Sequence, residues 1–255
     1  MCLILLAYQA HKQYPFILAA NRDEFYDRPA LPVGYWHDNP SILGGRDLEK
    51  MGTWLGITGK GRFAAITNYR DPSRLRKDAR SRGEIVSDFL HGTDSPREYL
   101  NRIKEKREFY NGFNLILGSV SCCLYYSNIT NIDEELKPGI HGLSNHLLNT
   151  PWPKVVRGKE KLAQTVQDKN FPDKDRLFKI LADAQKAEDR ELPDTGVGIE
   201  RERMMSPIFI QSPGYGTRSS TVLVINRQNQ VSFIERSRIA DQNNWVENFY
   251  EFEIK

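Results

Sequence analysis

Met1-Cys2-Leu3-Ile4-Leu5-Leu6-Ala7-Tyr8 opens the chain. From Cys2 onward the run is apolar and reads as a buried strand, continuous rather than alternating, as expected where both faces are covered. Loss of Met1, which the small thiol side chain permits, would give one residue a nucleophile and a free α-amine. A thiol titrates near about 8.5 and an α-amine near about 7.7 to 8.0, so the amine can take the thiol's proton around neutral pH. Position alone favours the plainer reading, a small buried residue beside a retained methionine.

Outward from this strand the pattern is strands, helices, strands, helices, strands. Pro15 to Ala20 is a second buried run after the His11-Lys12-Gln13 turn, and the stretches 52–58 and 62–67 flank Gly59-Lys60-Gly61 as a hairpin. Helices are expected over Ala79 to Leu90 and Pro96 to Lys106. The second has Ser95 as cap, a first-turn proline and Glu98 three residues after the cap. Strands over 114–118 and 121–127 follow, then helices over Pro153 to Gln167 and Asp173 to Ala187, then strands over 207–211, 219–226 and 230–235. Such an order suits an α+β chain of two stacked sheets between two helical layers, one domain over residues 1–255. The charged stretch Asp189 to Arg203 is the expected mobile loop beside a site.

Composition narrows the function. The net charge of +3 in 255 residues is small, and the one basic cluster, Arg74, Arg76, Lys77, Arg80 and Arg82, reads as a solvated face rather than an anion or nucleic-acid site. Cys122 and Cys123 adjoin each other in a strand-like run, so neither a zinc site nor a disulfide framework is expected. With no secretory leader or membrane-spanning run, the expected compartment is the cytoplasm, without membrane insertion.

Chemistry-bearing residues cluster at strand ends. Asn21-Arg22-Asp23-Glu24 is read as lying just past the second strand, where four polar groups are costly unless paired or used. Beside Cys2, an arginine and a carboxylate could hold its amine as the free base. Asn68 and Asn145 each offer an amide to a developing oxyanion, and each suits a turn equally well. Arg46, after Gly44-Gly45, and Arg218, after Gly216-Thr217, are candidates for a ligand's carboxylate or phosphate. Trp54 either lines a pocket or fills the core, and core is favoured.

Asn21-Arg22-Asp23-Glu24 with Arg28-Pro29, Gly44-Gly45-Arg46-Asp47, Gly52-Thr53-Trp54, Thr67-Asn68-Tyr69-Arg70, Ser81-Arg82-Gly83, Gly112-Phe113-Asn114-Leu115, Gly142-Leu143-Ser144-Asn145, Pro151-Trp152-Pro153-Lys154 and Thr217-Arg218-Ser219-Ser220-Thr221 together resemble the NRDE family. That family is similar to the N-terminal nucleophile hydrolases, which implies a four-layer αββα sandwich. The nearest resemblance is to the penicillin V acylase and bile-salt hydrolase group, and it implies Cys2 as nucleophile, Asn68 as oxyanion donor and Asn145 as a polar contact near the cysteine amine. That group separates its arginine and aspartate by two residues, whereas Arg22 and Asp23 are adjacent here. Which of Arg22, Asp23 and Glu24 faces Cys2 is therefore open.

The expected function is hydrolysis of a C–N amide bond in a small amphipathic acyl-amide, with Cys2, Arg22, Asp23, Asn68 and Asn145 catalytic, Arg46, Trp54 and Arg218 binding, and no cofactor or metal. The alternative, which the resemblance also implies, is a carrier of haem or another anionic amphipath. His11, His37, His91, His141 and His146 are iron ligands by residue type only.

Overall fold

The computed structural model describes residues 2–168, 171–239 and 244–255. Met1, on whose removal the expected nucleophile depends, lies outside them. The strands are β1 (Cys2–Tyr8), β2 (Phe16–Phe25), β3 (Ala30–Tyr35), β4 (Ile42–Asp47), β5 (Leu55–Thr58), β6 (Phe63–Asn68), β7 (Phe113–Gly118), β8 (Cys123–Ser127), β9 (Ile132–Glu135), β10 (Gly139–Leu143), β11 (Gln211–Ser212), β12 (Tyr215–Ile225), β13 (Gln230–Arg238) and β14 (Trp245–Glu253). The helices are α1 (Arg82–His91), α2 (Pro96–Glu105), α3 (Pro153–Val166), α4 (Lys174–Leu181) and α5 (Ile199–Met205).

Among the described residues the strands form two seven-stranded sheets. The first runs β10-β1-β2-β12-β13-β14 with β11 on β12, and the second runs β3 to β9 in chain order. Side-chain alternation along β1 builds the layers. Leu3, Leu5 and Ala7 pack with Leu162 and Val166 of α3 and Leu177 and Leu181 of α4. Ile4, Leu6 and Tyr8 meet Leu55, Ile57, Phe63 and Ala65 of the second sheet. Ala64 and Ile66 point the other way, onto Ile85, Val86 and Phe89 of α1 and Leu100 and Ile103 of α2. The result is the expected αββα sandwich, and its inner strands are apolar runs because both of their faces are buried.

Several boundaries differ from the sequence expectation. β2 continues to Phe25 because β12 pairs with it from Phe16 to Phe25, so Asn21, Arg22, Asp23 and Glu24 sit inside a strand, not past its end. The expected strand over 207–211 contracts to Gln211–Ser212, and the helix begun at Asp173 ends at Leu181. α1 starts at Arg82 rather than Ala79, since Arg80 is held extended by a bridge to Tyr110. Gly44 to Asp47 belongs to strand β4, which pairs with β3 as far as Asp47 and with β5 as far as Gly44. The charged stretch 189–203 contains a 3-10 turn and most of α5, and its Glu202 is buried.

Asn21 locks the first sheet to its helices. Its Nδ2 donates to the Leu181 carbonyl at 2.8 Å and the Ile208 carbonyl at 2.9 Å, and its Oδ1 accepts from Ser220 Oγ at 2.7 Å. Asn21→Leu keeps the branching at Cγ and removes all three bonds, so it is expected to destabilise the fold by more than about 2 kcal/mol. Urea unfolding checks this as a lowered midpoint at unchanged slope.

Candidate active site

Cys2 lies at the mouth of β1, paired across the sheet with Arg22 of β2. Parity sets its side chain on the face of Ile4 and Leu6, toward the second sheet, yet no apolar layer covers it there. It opens instead into a cleft of about 470 Å³ lined also by Arg22, Asp23, Asp47, Trp54, Asn68 and Arg82. The thiol is partly buried. Burial raises its pKa and the Asp23 carboxylate adds to the rise, while the Arg22 guanidinium opposes it.

Arg22 is held by an aromatic face and an acid. Its guanidinium stacks 4.3 Å over the Trp54 ring, and Nη2 lies 3.7 Å from Asp47 Oδ2. Trp54 is thus a half-buried residue that packs on the core and also lines the cleft, so both readings of it hold. Glycines make this packing possible: a Cβ on Gly45 would stand 2.2 Å from Trp54 Cη2, and one on Gly52 would stand 2.5 Å from the Gly83 carbonyl carbon. Thr53 N–H donates to Gly83 O at 3.2 Å, so the Gly-Thr-Trp and Ser-Arg-Gly motifs are two sides of one backbone contact at the start of α1.

Asp23 alternates to the helix side of the first sheet. Its Oδ1 accepts from Thr217 Oγ1 at 2.7 Å. Beyond it, under α3 and α5, is a buried polar layer. Lys154 Nζ donates to the Met205 carbonyl at 3.1 Å, and Arg70 pairs with Glu202, which also accepts from Thr195. Burial raises the Asp23 pKa, opposed first by Lys154; burial lowers that of Lys154 to about 8, opposed first by Asp23. Arg70 is likewise lowered by burial and raised by Glu202.

Asn68, at the end of β6, lines the cleft. Asn145 does not reach the cleft. Its Nδ2 donates to the Asn68 carbonyl at 2.9 Å, its own carbonyl accepts from Arg70 N–H at 2.8 Å, and the adjacent Ser144 Oγ donates to Cys2 O at 3.2 Å. Asn145 therefore staples β6 to the mouth of β1. Asn114 supports the staple, donating from Nδ2 to Thr67 Oγ1 at 3.3 Å and to the His146 carbonyl at 2.9 Å.

Arg46 and Arg218 are not brought to Cys2. Arg46 pairs with Asp38 at 2.9 Å and stacks 3.8 Å over Trp36 in a separate depression. Arg218 is the bulged residue between Thr217 and Ser219, and its Nη1 donates to the carbonyls of Phe25, Tyr26 and Arg28 at 2.9, 3.0 and 2.7 Å. The bulge turns its side chain away from the ladder to fasten the β2–β3 turn. Conversely, the basic run is not only a solvated face: Arg76, Lys77, Arg80 and Arg82 line the Cys2 cleft with Lys50. Burial lowers the Arg82 pKa and the Cys2 sulfur raises it. None of the five histidines lines this cleft. Among the described residues no group of three or more His, Cys, Asp or Glu is placed to hold a metal ion.

The model for the family Transport and Golgi organisation 2 matches residues 1–240. The chain belongs to that family. It is 37% identical to the Transport and Golgi organization 2 homologs of Mus musculus and Homo sapiens, over 100% of this chain and of theirs. The Drosophila melanogaster protein is 29% identical over 93% of this chain and 92% of that one. Solved structures add the fold. A mutant conjugated bile acid hydrolase from Clostridium perfringens matches with TM-score 0.54 and 9% identity, over 100% of this chain and 97% of that one. A Caenorhabditis elegans ortholog of N-acylethanolamine-hydrolyzing acid amidase matches with TM-score 0.52 and 11% identity, over 88% and 92%. This family member thus has the fold of N-terminal nucleophile hydrolases. No described helix is long and apolar enough to cross a membrane.

The buried Arg70–Glu202 pair closes the polar layer under the site. Arg70→Met leaves the Glu202 carboxylate buried without its guanidinium, with an expected cost of about 3–5 kcal/mol. Arg70→Met with Glu202→Leu is expected to recover most of that loss in equilibrium unfolding.

Proposed function

We propose that the protein, after removal of Met1, is a hydrolase of C–N amide bonds in small amphipathic acyl-amides. The observation that carries this reading is the position of Cys2: at the open end of a buried strand, opposite Arg22 and facing a polar cleft. The fold shared with an amide-cleaving structural neighbour agrees with it.

In this mechanism the Cys2 amine takes the thiol proton and Sγ attacks the substrate carbonyl. The oxygen gains negative charge, and the Asn68 amide with a backbone N–H stabilises it. Collapse forms a thioester and breaks the C–N bond, and the Cys2 ammonium returns its proton to the leaving amine. Water, deprotonated by the same amine, then hydrolyses the thioester. Arg22 favours the thiolate, and Asp23 accepts a hydrogen bond from the ammonium. Asn145 holds Asn68 in place through the backbone.

The cleft wall also bears on the substrate. Seven lining cations, Arg22, Arg28, Lys50, Arg76, Lys77, Arg80 and Arg82, outnumber the carboxylates Glu24, Asp47 and Glu84 on this side, Asp23 having its side chain on the helix side. Arg28 pairs with Asp47 and Arg80 with Glu84, which leaves the excess charge on Lys50, Arg76, Lys77 and Arg82. Such a wall suits an acyl-amide with an anionic group. It equally suits a carrier of an anionic amphipath such as haem, the second reading, although haem iron would find no histidine in this cleft.

Two results separate these readings. Intact mass of the protein made in cells should show loss of Met1, and a panel of acyl-amides should give turnover that Cys2→Ala abolishes and Asn68→Ala lowers by about 10² to 10³ in kcat. Full turnover by Cys2→Ala removes the mechanism. Saturable haemin binding that Cys2→Ala leaves unchanged, with no turnover on any amide, supports the carrier. Arg76→Ala with Lys77→Ala is expected to raise KM for anionic substrates and to leave kcat unchanged, as steady-state kinetics at low ionic strength would read.

A further inference from the structure

The cations of the Cys2 cleft are not equivalent, and their partners sort them. Arg28 holds Asp47 at 2.6 Å and Glu49 at 2.9 Å, Arg80 holds Glu84 at 2.6 Å, and Arg22 lies 3.7 Å from the Asp47 carboxylate. Among the described residues no carboxylate pairs with Lys50, Arg76, Lys77 or Arg82. The first three of these are exposed, so water solvates them and salt screens them. Arg82 differs. It is partly buried at the first position of α1, and its one hydrogen bond among the described residues runs from Nη1 to the Gly112 carbonyl at 3.1 Å.

Backbone contacts fix Arg82 on both sides. The Gly112 carbonyl that takes its Nη1 also accepts the Tyr69 N–H at 2.8 Å, immediately after Asn68 and the end of β6. On the other side the Gly83 carbonyl accepts the Thr53 N–H, next to Trp54. Arg82 is therefore held between the segments that carry Asn68 and Trp54, both of which line the cleft with it. A guanidinium has five N–H donors. Nε and Nη2 of Arg82 have no partner in the protein and are not sealed off from solvent. A cation partly stripped of water and given no carboxylate costs free energy that a bound oxyanion offsets.

We propose that Arg82 is the specificity-determining residue of the cleft: it receives the anionic head group, a carboxylate or a phosphate, of the amphipathic acyl-amide on the guanidinium nitrogens that the backbone leaves free. Lys50, Arg76 and Lys77 draw that group in without holding it. The proposal rests on the amidase reading for the use of the site, whereas binding of the anion requires no turnover. Exposure is the physical reason for the division. Attraction by an exposed cation fades within about 10 Å at 0.1 M salt, while a charge-assisted contact at a partly desolvated site is screened much less.

Isothermal titration calorimetry on Cys2→Ala protein, where cleavage through the thiol is excluded, tests this with three probes of one acyl chain: N-lauroylglycine, N-lauroylphosphoethanolamine and the neutral N-lauroylethanolamine. An anionic probe is expected to bind about tenfold or more tightly than the neutral one, and the tighter of the two anions identifies the head group as carboxylate or phosphate. Arg82→Gln in that background should remove about ten- to a hundredfold of the anionic affinity. The loss should persist from about 0.1 M to about 0.5 M salt, whereas the loss in Arg76→Ala with Lys77→Ala should fade over that range. Arg82→Lys keeps the charge and a donor for Gly112 but not the planar fork, and should lose an intermediate part of the anionic preference. A parent protein that binds neither anionic probe more tightly than the neutral one overturns the proposal. So does an Arg82→Gln or Arg82→Lys protein that keeps the full preference, or that loses affinity equally for all three probes, which would mark Arg82 as a structural tie to Gly112. Anion-selective binding through Arg82 with no turnover on any amide leaves this site standing and sinks the amidase reading; Cys2-dependent turnover with no preference for anionic amides does the reverse.

Discussion

The antiparallel pairing of β1 with β2 is the constraint on which the site depends. It places Cys2 opposite Arg22 and, by the two-residue alternation of a strand, sends Arg22 toward the cleft and Asp23 toward the helices. A slip of one residue would exchange these faces, putting a carboxylate under Trp54 and a guanidinium under α3. The register is secured by the apolar residues behind it: Leu3, Leu5, Ile17 and Ala19 fill one face, and Ile4, Leu6, Phe16 and Leu18 the other. A shifted strand would have to move all of them.

Two contrasting polar environments meet at Cys2. The cleft side is open, basic and rich in long side chains that solvent screens. The helix side is closed, with Asp23, Lys154, Arg70 and Glu202 removed from water and dependent on one another. Ionic groups of the second kind contribute little net stability, because desolvation offsets their attraction, but removal of one member is costly. Their arrangement therefore reads as a fixed electrostatic setting for the strand end above rather than as a source of fold stability.

The sequence motifs resolve into three physical kinds. Some are close approaches, such as Gly45 under Trp54 and Gly52 against Gly83. Others are staples, such as Asn145 on the Asn68 carbonyl and Arg218 on the β2–β3 turn. The third kind lines the cleft, as Arg22, Trp54, Asn68 and Arg82 do. This explains why Arg46 and Arg218 looked like ligand contacts from their glycine neighbours: a glycine beside an arginine signals a tight backbone, and a tight backbone serves packing as readily as binding.

Residue order alone determined the strand at Cys2, the capped start of α2 and the αββα plan, because each is written in local features: apolar runs, a serine cap, a proline. It also made Cys2 and Asn68 candidates. It did not determine that β2 extends through Asp23, since that length comes from pairing with β12, almost two hundred residues away. β3 and β14 were equally hidden, being edge strands with exposed, charged or mixed faces. Only the tertiary structure decided that Lys154, read within a helix start, shares a buried layer with Asp23, and that the basic run after Arg70 forms a wall of the cleft. Burial and charge compensation are properties of surroundings assembled from distant segments, and no window of sequence contains them.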